Sequence, residues 1–184
     1  LLGMTAVGVR AHLTILERDG VVSCAPVRRR MGRPAHVYRL TELGDELFPK
    51  SYDELAVNLL EDAQESYGDG AVRNLLRRRS QQLREVYQER LAGKNFREQL
   101  AELVCILDET GYMARLEQRD DGAFELSEDN CAIARVARRF PLTCLFELTL
   151  FEDLLGPGVA IEREAHLVKG DIRCSYVIRE LKER

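Results

Sequence analysis

Five cysteines, Cys24, Cys105, Cys131, Cys144 and Cys174, have the widest chemical reach in this 184-residue chain. A thiol can ligate a soft metal ion, attack as a nucleophile, oxidise reversibly, or fill space as a small apolar side chain. Twelve residues separate Cys131 from Cys144, and twenty-nine more lie between Cys144 and Cys174. That spacing is not the compact C-x-x-C arrangement that would identify a metal site by itself, so ligation and simple packing both stay open. The odd count and the scatter argue against a disulfide scaffold and for a reducing, cytoplasmic setting. Cys24 lies in a β-prone run and Cys105 beside Leu103, Val104 and Leu107, which reads both as core residues. No cysteine has a histidine neighbour in a recognisable catalytic arrangement, and an enzyme is not expected.

The second group with chemical potential is cationic. Residues 1 to 40 carry seven arginines against Glu17 and Asp19, an excess of five positive charges in a chain whose net charge is −4. The remaining residues therefore carry −9, and only the N-terminal segment has the electrostatics of a nucleic-acid contact. Arg28, Arg29, Arg30 and Arg33 surround Gly32 and precede Pro34, a turn between the β-prone runs 21–25 and 35–40. A hairpin tipped with arginines could grip phosphates, although most charge runs are solvated loops.

These groups need elements to position them. Thr5 reads as an N-cap and Val9, Leu13 and Leu16 recur at helical spacing up to Asp19-Gly20. A helix is expected over 51–67, and a long one over 71–91, where Val72, Leu75, Leu76, Leu83, Val86, Tyr87 and Leu91 form an apolar stripe and no Gly or Pro interrupts. Beyond Gly93 the pattern gives a helix over 95–109, strands near 112–118 and 123–126, and two helices split by Pro141. A closing hairpin of 159–168 and 172–179 follows. Hydrophobic content of 45% with 32% charged residues, and no apolar run of spanning length, describes a soluble globular chain with no membrane partner.

The run TAVGVRAHLTILERDGVV from Thr5, followed by RRRMGRPAHVYRLTELG, resembles the recognition helix and wing of ArsR- and DeoR-type bacterial winged-helix repressors. The ordering of NCAIARVARRFPLTC and VAIEREAHLVKGDIRCSYVI resembles the SufR group, winged-helix repressors of iron-sulfur cluster assembly genes. The resemblance implies an iron-sulfur cluster on Cys131, Cys144 and Cys174. The pattern's further cysteine falls near Val159, where this sequence has none, so the fourth position is open to His166, Cys105, a carboxylate or an external thiol, with His166 the first candidate. It also implies contacts to a double-stranded operator from Thr5, Val7, Arg10, Ala11 and Thr14 of the helix and from Arg28, Arg29, Arg30, Arg33 and His36 of the hairpin.

The expected fold is α+β in three parts. Residues 1–48 would be a winged helix-turn-helix domain, partial because two helices normally precede the recognition helix. Residues 49–93 would be a helical linker pairing two copies through the 71–91 helix, and 94–184 a cysteine-containing α+β sensor. The expected function is a homodimeric repressor that reports cluster status. The alternatives are a regulator sensing another metal, a small ligand or thiol oxidation, and, more remotely, a cysteine enzyme.

Overall fold

The computed structural model describes residues 3–27 and 35–181. Contacts divide the chain into two compact units, Leu1–Ser51 and Tyr52–Arg184.

In the first unit, Thr5 caps α1 (Ala6–Arg18) by accepting the Gly8 amide at 3.2 Å. The strands β1 (Val22–Val27) and β2 (Ala35–Leu40) pair antiparallel, Cys24 opposite Tyr38 and Pro26 opposite His36. Thr41 then caps the five-residue α2 (Glu42–Glu46) and donates its hydroxyl to the Gly20 carbonyl at 2.6 Å, tying the helix to the start of the hairpin. Gly44 makes this docking possible, because a Cβ there would collide with the Val21 carbonyl.

The second unit contains α3 (Tyr52–Tyr67), α4 (Asp69–Leu91) and α5 (Phe96–Glu109). Asn95 and Glu98 start α5 with a reciprocal capping box. The strands β3 (Ala114–Gln118) and β4 (Phe124–Glu128) follow, then α6 (Ala134–Arg139) and α7 (Leu142–Leu155), separated by Pro141. After β5 (Val159–Ala165), a single 3-10 turn over Leu167–Lys169 leads to β6 (Cys174–Glu180). The four strands form one antiparallel sheet in the order β3-β4-β6-β5, so the last strand lies between two earlier ones.

Strand alternation sends Phe124, Leu126, Tyr176 and Ile178 to one face, where they join Tyr87 and Leu91 of α4, Leu100, Leu103 and Ile106 of α5, and Leu150 and Phe151 of α7 in the main core. The opposite face is laced by ion pairs. Arg119 holds both Glu125 and Glu164, and Arg179 reaches Asp121 at 2.9 Å.

This architecture corrects the expected one. The described residues form an α+β chain of seven α-helices and two small antiparallel sheets, not a winged-helix domain joined through a free helix to a separate sensor. A recognition helix in a winged-helix domain packs its apolar face on other helices, whereas α1 has no buried residue. Val9 and Leu13 are only half-buried and Leu16 is exposed. The 71–91 stripe is likewise turned inward, with Val72, Leu76, Tyr87 and Leu91 buried within their own chain. Only Leu75 and Val86 of the stripe are exposed, so most of the α4 stripe belongs to the second unit's own core. No described helix is long and apolar enough to cross a membrane.

Candidate functional site

The groups best placed for chemistry converge at one corner of the core face of the four-stranded sheet. Glu128 ends β4 directly opposite Cys174, the first residue of β6. Two residues further along β6, Tyr176 faces Arg163 of β5. From the helix side, α7 contributes Cys144 and Glu147, three residues apart and hence on one face. Cys131 lies three residues beyond Glu128, in the turn leading to α6.

A hydrogen-bonded chain links Glu147, Tyr176, Arg163 and the Cys144 backbone. The Tyr176 hydroxyl donates to Glu147 Oε2 at 2.9 Å. Arg163 donates to the Tyr176 oxygen at 3.2 Å and to the Cys144 carbonyl at 2.6 Å, with its guanidinium 3.7 Å from Glu147. The Glu147 carboxyl and the Tyr176 hydroxyl thus share one guanidinium. Glu128 is only 1% exposed, and its Oε1 has no hydrogen-bond partner. Burial, and then the neighbouring Glu147 charge, push the Glu128 carboxyl far above its usual range. Burial also raises Glu147, opposed by the Tyr176 hydrogen bond and the Arg163 charge.

The three thiols of this corner share that environment. Burial pushes Cys144 up to about 11 and Cys174 to about 12, and raises Cys131 as well. The nearby carboxylates add to each shift, so all three are neutral thiols near pH 7. Cys174 Sγ accepts the Leu167 amide at 3.4 Å. His166 sits one residue past β5, its backbone N–H on Asp171 and its Nε2 buried without a partner. Burial, with Arg163 and Lys169 nearby, depresses its imidazole and keeps it neutral. A cleft of about 90 Å³ opens beside Cys131, bounded by Asp129, Asn130, Arg138 and the 3-10 turn.

Cys131, Cys144, Cys174 and His166 therefore all fall around one end of the sheet. As placed, however, no three His, Cys, Asp or Glu side chains among the described residues converge closely enough to hold a metal ion. The donors fit an iron-sulfur cluster in chemical type but not in arrangement. Val159, near which the further cysteine of the SufR pattern falls, begins β5, at the far end of the strand from His166.

Sequence reasoning missed Glu128, Glu147 and Arg163, since charged residues are read as surface by default, and with them Tyr176. A signal was present in the alternation Phe124, Leu126, Glu128 and Ile161, Arg163, which puts each charge on an otherwise apolar face. Cys105 departs from expectation in the other direction, being exposed on α5.

In the first unit, Val7, Arg10, Ala11 and Thr14 are exposed along α1, while the Thr5 hydroxyl is committed to its cap and Thr14 Oγ1 to the Arg10 carbonyl at 3.0 Å. His36 Nδ1 lies 3.2 Å from Cys24 Sγ across the hairpin. Arg28, Arg29, Arg30 and Arg33 lie outside the described residues.

No family model matches the chain, and neither does any curated protein. Among solved structures, the crystal structure of the phenol-responsive sensory domain of the transcription activator PoxR with phenol is similar, at 12% identity and a TM-score of 0.46, over 96% of this chain and 92% of that one. A likeness of that degree assigns neither a family nor a ligand to this chain.

Proposed function

We propose that the chain is a DNA-binding transcriptional regulator. In this reading the 1–51 unit contacts double-stranded operator DNA, and the 52–184 unit senses a chemical signal at the buried carboxylate and thiol corner. The observation that carries it is the outer surface of α1. This 13-residue helix presents Arg10 on its exposed surface, beside a hairpin whose connecting sequence holds four arginines. Two copies on a palindromic operator would match the half-site logic of such regulators, and Leu75 and Val86 are the stripe residues of α4 still exposed for pairing.

The test is fluorescence anisotropy with operator-sized duplex DNA across a salt series. Replacing Arg28, Arg29 and Arg30 with Ala should weaken binding to specific and random duplexes alike and reduce the slope of log K against log salt by about 0.9 per lost phosphate contact. Arg10→Ala should instead reduce discrimination between sequences. Unchanged salt dependence in the triple variant would remove the hairpin from the interface.

A second reading, a repressor of iron-sulfur cluster assembly genes, rests on the chemical type of the three free thiols and of His166, whose Nε2 is buried without a partner, and requires these side chains to draw together from where they stand. Cys131, Cys144 and Cys174 would hold the cluster with His166 as the fourth ligand, and the cluster would supply a redox- and oxygen-sensitive signal. Iron and sulfide analysis with a visible spectrum of anaerobic protein tests it. A triple Cys131, Cys144 and Cys174 to Ser variant that keeps the same chromophore rules it out.

A further inference from the structure

The hairpin of the first unit gathers a thiol, an imidazole and a phenol on one of its faces. Cys24 of β1 lies directly opposite Tyr38 of β2, and His36, two residues before Tyr38, is the diagonal neighbour on the same face. The Cys24 Sγ stands 3.2 Å from His36 Nδ1, close enough for the thiol to hand its proton to the ring. The Tyr38 phenol is pushed above its usual range, first by its hydrogen bond with Cys24, so it remains a proton donor to the sulfur at neutral pH. From α1, Glu17 and Arg10 are the charged groups near this phenol. The sulfur is half-buried and the imidazole exposed, so a small reagent can reach both. The other four thiols lack this arrangement. Burial raises Cys131, Cys144 and Cys174 and keeps them protonated. Cys105 is more exposed than Cys24 but lies on α5, a helix without a histidine.

We propose that Cys24 is a peroxide-reactive thiol, oxidised to a sulfenic acid with His36 relaying the proton. The thiol gives its proton to His36 Nδ1, and the sulfur attacks one oxygen of hydrogen peroxide. An S–O bond forms as the O–O bond breaks, and the imidazolium returns the proton to the departing hydroxide, which leaves as water. Sulfur is oxidised by two electrons and the peroxide is reduced by the same two, so Cys–SH and H2O2 give Cys–SOH and H2O. The proton return is what selects a peroxide over an alkylating electrophile, because hydroxide leaves poorly unless it is protonated, whereas a halide needs no proton. The oxidised sulfur stands four residues before Arg28, the first arginine of the hairpin connection. Condensation of the sulfenic acid with a small thiol, which releases water, would put a bulky group on the same face. Oxidation at Cys24 thereby weakens the DNA contact of the hairpin. That consequence deepens the DNA-binding reading and rests on it; the thiol chemistry does not.

The experiment treats the full, reduced chain with hydrogen peroxide in the absence of DNA, traps sulfenic acid with dimedone, and reads each cysteine by peptide mass spectrometry. Cys24 should be trapped first, at least about tenfold faster than the more exposed Cys105. His36→Ala should bring Cys24 down toward the Cys105 rate, and the loss should be larger with peroxide than with iodoacetamide, whose iodide departs without a proton. A Cys24 that reacts no faster than Cys105 in the parent chain overturns the proposal, and this comparison decides the matter even where His36→Ala fails to fold. So does a folded His36→Ala variant with an unchanged peroxide rate, or one slowed equally toward both reagents. In a second arm, fluorescence anisotropy with duplex DNA should show peroxide weakening the parent chain several-fold and leaving Cys24→Ser unchanged. Binding that stays the same while Cys24 is oxidised overturns the regulatory consequence. A reactive Cys24 in a chain that binds no DNA sinks the DNA-binding reading alone, and DNA binding with an unreactive Cys24 sinks this proposal alone.

Discussion

Removing one oxygen, by Tyr176→Phe, probes the buried corner with little change in shape. The ring stays packed edge-on to Phe151, with centroids 5.2 Å apart, so the change isolates the hydroxyl. That hydroxyl donates to Glu147 at 2.9 Å and accepts from Arg163 at 3.2 Å. Leaving a buried carboxylate short of a donor costs about 2 kcal/mol, and for a chain of this size that lowers Tm by about 4–8 °C. The loss depends on pH in a definite direction. Burial raises the folded Glu147 above its ordinary value of 4.5, and the Tyr176 hydrogen bond opposes that rise. Without the hydroxyl the folded value climbs further, so the folded variant holds its proton to higher pH. A raised carboxyl destabilises the fold progressively as pH rises above the unfolded value. The variant's deficit should therefore be small near pH 4 and full at pH 8. Differential scanning calorimetry of both proteins at the two pH values measures it. Equal deficits at pH 4 and pH 8, or a Tm at pH 8 within 1 °C of the parent, would refute the coupling between Tyr176 and an ionised Glu147.

Gly44→Ala should loosen α2 from the hairpin, because the added methyl meets the Val21 carbonyl; overpacking against backbone costs about 1–3 kcal/mol, and limited proteolysis should cut the 1–51 unit sooner. Leu76→Asp should lower the stability of each chain without first dissociating it, since Leu76 is buried in its own unit; a folded variant that sediments as a smaller species than the parent would instead make α4 the dimer contact.

The limits of α1, α4, α5 and the α6–α7 break were legible because local chemistry marks them: a Thr5 cap, an uninterrupted stripe, the Asn95 and Glu98 box, and Pro141. The sheet was not. β4 pairs with β6 across nearly fifty residues, and nothing local to either segment states that partnership. The expected two separate hairpins are in fact neighbours in one sheet, and only that merger puts Glu128 opposite Cys174. The thiol positions came from resemblance, whereas the carboxylates and guanidinium that set their electrostatics needed the register. The same gap explains α4, whose stripe is equally compatible with a partner chain or with α5 and α7.

Placing β6 between β4 and β5 gives the sheet the logic of an arch with a keystone. β4 and β5 never pair with each other, so a half-finished chain can form the β3-β4 hairpin but leaves β5 without a strand partner in the sheet. During synthesis, closure waits for the last strand to arrive, a non-local step that is slow relative to hairpin formation. A single cut in the 167–173 connection would not remove β6 but would free it to leave. Its departure would part the sheet into two edges and carry Cys174 and Tyr176 away from Glu128 and Arg163.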